Sequence, residues 1–161
     1  MKIAIVGSHP ETWHLAPFDD PTWTIWAFSR RNYNKLPRCD LWFELHSPKC
    51  FPSYEINIPG YVDWLTSNPK RMTHPIFPKD ALVERFGPYF FTDGQAPWML
   101  AYAITQEPEK IGIWGIEAAG PYQAQRSEIR HFVQVARDQG IEVTAPAESE
   151  LLEPKPIYAF S

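Results

Sequence analysis

Glu44 and His46 stand two residues apart in Leu41-Trp42-Phe43-Glu44-Leu45-His46, so on an extended chain their side chains share one face. A carboxylate beside an imidazole can move a proton or hold a cation. The structural alternative is that His46 caps the strand while Glu44 binds backbone or an arginine. A second acidic candidate, Glu117, follows the apolar run Ile111-Gly112-Ile113-Trp114-Gly115-Ile116 and can serve as base or metal ligand.

Groups that can hold an anion recur after other apolar runs. In Gly7-Ser8-His9-Pro10, Gly7 lets backbone approach a ligand, and the N–H groups beyond Pro10 can offer a positive helix end to phosphate. A simple turn at Gly7-Ser8 explains the same residues, and Glu11 repels an anion placed there. Ser29-Arg30, Gly115 and Arg126 extend the candidate set, the arginines through their planar donor forks; for Arg126 an inter-loop ion pair is the alternative. Thr92-Asp93 precedes an apolar helix, where capping and anion binding both fit. Trp13 is the tryptophan placed to stack on a base, whereas Trp26, Trp42, Trp98 and Trp114 read as core. Neither G-x-G-x-x-G nor G-x-x-x-x-G-K-[ST] occurs, which removes the standard dinucleotide and P-loop signatures.

His9, His14, His74 and His131 lack zinc-ligand spacing, so no zinc site is expected. Magnesium is compatible with a few carboxylates plus ligand phosphates, although Asp19-Asp20 before Pro21 reads as a turn.

These candidates need a scaffold that gathers strand ends. Residues 2–6 form a β-rich run as in a strand covered on both faces; 22–28 and 41–45 read as the next two strands. A short helix opens at Pro10, and residues 47–59, with three prolines and no period, read as a surface excursion. Helices are expected over 61–67, 79–86, 96–106 and 127–139, a weak strand near 72–77, and further strands over 110–116 and 141–144. Strands alternating with helices predict one three-layer, Rossmann-like α/β domain over 1–161 with a mainly parallel sheet and a proline-containing tail at 154–161. Ligands of such sheets bind beyond the carboxyl ends of the strands.

Composition narrows the partners. The chain has 161 residues, 44% of them hydrophobic, and a formal charge of −4; a broad nucleic-acid surface would need clustered basic residues. Arg30-Arg31 and Lys70-Arg71 are its only adjacent basic pairs and read as solvated loops. The first apolar run is too short for a signal peptide and no stretch suits a bilayer span, so a cytoplasmic location is expected. Cys39 and Cys50 are expected to be reduced and packed.

The motifs Lys2-Ile3-Ala4-Ile5-Val6-Gly7-Ser8-His9-Pro10, Leu15-Ala16-Pro17-Phe18-Asp19-Asp20-Pro21, Trp42-Phe43-Glu44-Leu45-His46, Gly87-Pro88-Tyr89-Phe90-Phe91-Thr92, Ile113-Trp114-Gly115-Ile116-Glu117 and Pro146-Ala147-Glu148-Ser149-Glu150-Leu151-Leu152 together resemble a family of small bacteriophage proteins with a Rossmann-like fold. The first and late strand motifs are more distantly similar to pterin diphosphokinase-like domains and to bacterial sialyltransferases that bind a cytidine nucleotide. Glu11 and Asp93-Gly94 depart from the phage pattern, and Glu117 stands where it carries Asp. The resemblance implies a host-cytoplasmic protein that handles a nucleotide or related phosphorylated metabolite; the first functional class considered for it is a glycosyl, nucleotidyl or pyrophosphoryl transferase. A non-catalytic binder that sequesters such a compound, and a homo-oligomeric interaction protein using the tail, are the other two classes the sequence leaves open.

Overall fold

The structure, a computed structural model, describes residues 1–159. Six strands, β1 (Lys2–Val6), β2 (Trp23–Ala27), β3 (Leu41–Glu44), β4 (Arg71–Thr73), β5 (Lys110–Trp114) and β6 (Glu142–Thr144), form one sheet in the order β4-β3-β2-β1-β5-β6. All five pairings are parallel. This is the expected Rossmann-like α/β architecture. Strand succession runs outward from β1 through β4 and then returns to β1's other side with β5, so the order reverses between β1 and β5.

Alternation along β1 sorts the core into two layers. Ile3 and Ile5 face the layer built with α3 (Lys79–Phe86), α4 (Gln95–Thr105) and α5 (Ala124–Asp138). Ala4 and Val6 face the opposite layer, with Trp42, Tyr61 and Leu65 and the short helices α1 (Phe51–Asn57) and α2 (Tyr61–Ser67). The central strands are apolar on both faces because both are covered. The same parity carries past the strand ends: Ser8 continues the Ala4–Val6 side, Ser29 the Ile25–Ala27 side, and Glu44 the Trp42 side.

Several local expectations are corrected. No α-helix starts at Pro10; hydrogen-bonded turns lead into a single 3-10 turn, Trp13–Leu15. Residues 47–59 are not an irregular excursion. Pro48 and Pro52 sit in the first turns of a 3-10 segment and of α1, where a missing N–H costs nothing, and Pro59 follows the helix end. Strand β4 ends at Thr73 rather than near Phe77, and α5 starts at Ala124, which puts Arg126 in its first turn.

Cys39 and Cys50 are free and half-buried, and burial pushes the Cys39 thiol up to about 11. No helix among the described residues is long and apolar enough to cross a membrane. The tail beyond Leu151 is rooted where Arg130 donates to the Leu151 and Glu153 carbonyls. Its residues 154–159 form no helix or strand, and the last two positions of the expected 154–161 tail lie outside the described residues.

Candidate functional site

A parallel sheet aims every strand's carboxyl end at one rim, so Gly7, Ser29, Glu44 and Gly115 all stand along it. Glu44 and Glu117 are separated by the β3-β2-β1-β5 succession, three strand spacings, or about 14 Å. The rim therefore divides into two halves.

The β1–β5 half is closed by main chain. Gly7 N–H donates to the Trp114 carbonyl at 2.8 Å, His9 N–H to the Gly115 carbonyl at 2.9 Å, and Gly115 N–H to the buried Thr12 hydroxyl at 3.0 Å. A methyl group on Gly7 would lie 2.3 Å from the Gly115 carbonyl oxygen. Gly115, at φ +70°, would meet the Gly7 carbonyl oxygen at 2.6 Å and Trp13 Cβ at 2.8 Å. Gly7 thus permits close approach of the β5 loop, not of a ligand. The N–H groups of Thr12 and Trp13 both donate to the His9 carbonyl, so the expected positive helix end beyond Pro10 does not form. Trp13 packs half-buried, edge-on to Phe18 and His14.

Glu117 and Arg126 belong to this closed half. Arg126 donates through Nη2 to the Glu117 carbonyl at 2.8 Å, and Glu117 Oε2 accepts from the Glu150 N–H at 3.2 Å. Arg126 Nε, Glu117 Oε1 and His9 Nδ1 are buried without a hydrogen-bond partner. On the neighbouring α4–α5 side, Thr92 and Asp93 do not cap α4 with their side chains; Gly94 is the cap residue. Their N–H groups instead donate to Glu128, a carboxylate 3% exposed on α5, at 2.9 Å each.

The β1–β3 half is built from side chains. Ser29 donates to Ser8, hydroxyl to hydroxyl, at 2.7 Å across the β1 and β2 ends. Glu44, 1% exposed, accepts from the Tyr61 hydroxyl at 2.8 Å through Oε1 and meets His46 Nδ1 at 2.7 Å through Oε2. Arg30 Nη1 stands 3.6 Å from Oε1, and the Arg30 guanidinium lies 3.7 Å from the centre of the Tyr54 ring. Tyr61 in turn accepts from the Trp42 indole at 3.0 Å. Arg30 is therefore fixed over an aromatic face and is not a solvated loop residue.

Electrostatics divide the labour between Glu44 and His46. Burial raises the Glu44 carboxyl, but hydrogen bonds from His46 and Tyr61, with the His46 and Arg30 charges, outweigh it and hold the group below the ordinary carboxylate range. Glu44 is ionised and can only accept, so the short contact places a proton on His46 Nδ1. The Nε2 lone pair is then the reactive end of the pair, with Glu44 orienting it. Tyr61 is pushed up strongly, first by burial and then by the Glu44 charge, and stays a neutral donor. Burial and the Glu44 charge likewise raise Tyr54 to about 12.

Tyr54 and Tyr61 are site residues that sequence reasoning missed. The signal for Tyr54 was Pro52 just inside a helix start; nothing local announces that Tyr61 reaches Glu44. Among the described residues no three His, Cys, Asp or Glu side chains gather as a metal-holding group, so a magnesium ion here would depend on ligand oxygens. Two open cavities lie elsewhere: about 590 Å³ lined by His14, Phe18, Asp19 and Pro37 among others, and about 310 Å³ at His74–Ala81. Compared with protein-family models, curated proteins and solved structures, the chain gives no match.

Proposed function

We propose that this chain binds a small phosphorylated metabolite, of the nucleotide class its sequence resemblance implies, at the β1–β3 half of the carboxyl rim. One observation carries the reading. The Arg30 guanidinium is held over the Tyr54 ring beside a buried carboxylate, its side chain 31% exposed, and among the described residues none of its N–H groups donates a hydrogen bond. A planar fork of free donors, pre-oriented by packing, suits the paired oxygens of a phosphate. Ser8 and Ser29 add hydroxyls that can exchange their mutual bond for one to the ligand. His46, oriented by Glu44 on the same half of the rim, is the reactive side chain, and transfer of a group from the bound compound is the reaction class we propose.

Native mass spectrometry of freshly purified protein, followed by calorimetric titration with nucleoside mono-, di- and triphosphates, tests this. The expected result is a bound phosphorylated compound and at least about a tenfold loss of affinity in Arg30→Ala, the equivalent of one charge-assisted hydrogen bond. Equal affinity in Arg30→Ala, or no phosphorylated compound bound by the parent chain, would overturn it.

A further inference from the structure

Arg30 and His46 share both of their fixed neighbours. One Glu44 oxygen stands 3.6 Å from Arg30 Nη1, and the other meets His46 Nδ1 at 2.7 Å. The Tyr54 ring carries the guanidinium on its face and meets the imidazole at 84° with centroids 5.9 Å apart. Two side chains anchored to one carboxylate and one ring have little freedom relative to each other. The His46 side chain is 48% exposed, and among the described residues its Nε2 has no hydrogen-bond partner. A carboxylate on Nδ1 fixes the ring's orientation and offsets the positive charge the ring acquires when Nε2 forms a bond.

We infer that His46 Nε2 is a phosphoryl acceptor. The inference rests on the reading of this rim as a site for a phosphorylated ligand and adds what happens there. Nε2 attacks phosphorus of a phosphate monoester or anhydride held against Arg30; a P–N bond forms as the P–O bond to the leaving group breaks. The leaving oxygen departs with the bonding pair and takes a proton from solvent. The Nδ1 proton remains in its hydrogen bond to Glu44. Arg30 supplies donors for the charge on the non-bridging phosphoryl oxygens. Attack of water on phosphorus then releases inorganic phosphate and returns free His46.

His14 and His74 are exposed on the same chain and, unlike His46, have no carboxylate within ion-pair distance among the described residues, so they are internal controls. Phosphoramidate, a phosphoryl donor too small to require a nucleotide site, is the reagent. The intact chain is incubated with it, and the modified histidines are mapped by tandem mass spectrometry. Acid-labile, alkali-stable phosphorylation is expected on His46 at a rate at least about tenfold above His14 and His74, the scale of activation by an adjacent oriented base. His46→Asn should abolish that fast phase, and Glu44→Gln should bring the His46 rate down to that of the controls.

Equal rates at the three histidines of the parent chain would overturn the acceptor role, and this comparison needs no variant to fold. Tight nucleotide binding with equal histidine rates removes the acceptor alone. Fast His46 labelling with no nucleotide binding removes the metabolite-site reading alone.

Discussion

The two halves of the carboxyl rim sit on the same sheet and differ in what joins their loops. Between β1 and β5 the contact is main chain to main chain, with Gly7 and Gly115 so close that neither accommodates a methyl group. Between β1 and β3 the contacts are side chain to side chain: Ser8 with Ser29, and Glu44 with His46, Tyr61 and Arg30. A main-chain seam cannot admit a ligand without moving strands. Side-chain contacts can be exchanged for ligand contacts one at a time. The strand-order reversal, where open α/β sheets commonly bind ligands, is here the sealed half, and the polar groups with free donors lie toward β2 and β3.

The largest effect that tests this contrast is Gly7→Ala. Its new methyl group would meet the Gly115 carbonyl oxygen at 2.3 Å, and because the obstacle is backbone rather than the end of a flexible side chain, urea unfolding should show a loss of about 3 kcal/mol. Ser8→Ala, one residue on, should cost less than about 1 kcal/mol. Equal losses would erase the distinction between seam and site.

Glu44→Ala comes next. It strips the buried Tyr61 hydroxyl of its acceptor and the partly exposed Arg30 of its ion-pair partner, and a cost of about 2 kcal/mol is expected, reduced from the fully buried case because Arg30 is partly in water. Glu117→Ala, which removes one long hydrogen bond from the sealed half, should cost about 1 kcal/mol or less. Reversal of that order, measured by the same unfolding transitions, would show that Glu44 is not the electrostatic centre.

The pH dependence sharpens the same point. The folded Glu44 carboxyl lies below its ordinary value of 4.5, so the unfolded chain takes up this proton first as pH falls. Its contribution is complete above 4.5 and is lost as pH drops through the folded value. Stability measured from pH 6 downward should therefore fall less steeply in Glu44→Gln than in the parent chain; identical slopes would contradict an ionised Glu44. A smaller effect than that of Glu44→Ala belongs to Tyr61→Phe, which removes one donor to Glu44 and the acceptor of the Trp42 indole. About 1 kcal/mol is expected, with no change in the His46 ring's exposure.

Much of the scaffold was legible because its signals are local. The run Lys2-Ile3-Ala4-Ile5-Val6 and the pattern over 110–114 define buried parallel strands by composition alone, and the helices over 61–67 and 79–86 match their expected bounds. Glu44 and His46 were paired from a two-residue spacing, and they do meet. The segment 47–59 misled because three prolines suggest interruption, whereas two of them begin helical turns.

The amino-acid order by itself determined the alternating β and α elements, the two-sided core and the same-face placement of Glu44 with His46, since each depends on residues a few positions apart. Tertiary structure alone decided that Gly7 seals against Gly115, that Tyr61 reaches Glu44 in addition to the nearby His46 N–H, that Tyr54 carries Arg30, and that Glu128 holds the Thr92-Asp93 turn. Those partners lie between 17 and 108 positions apart. Their meeting depends on strand order and helix placement, which no local periodicity encodes.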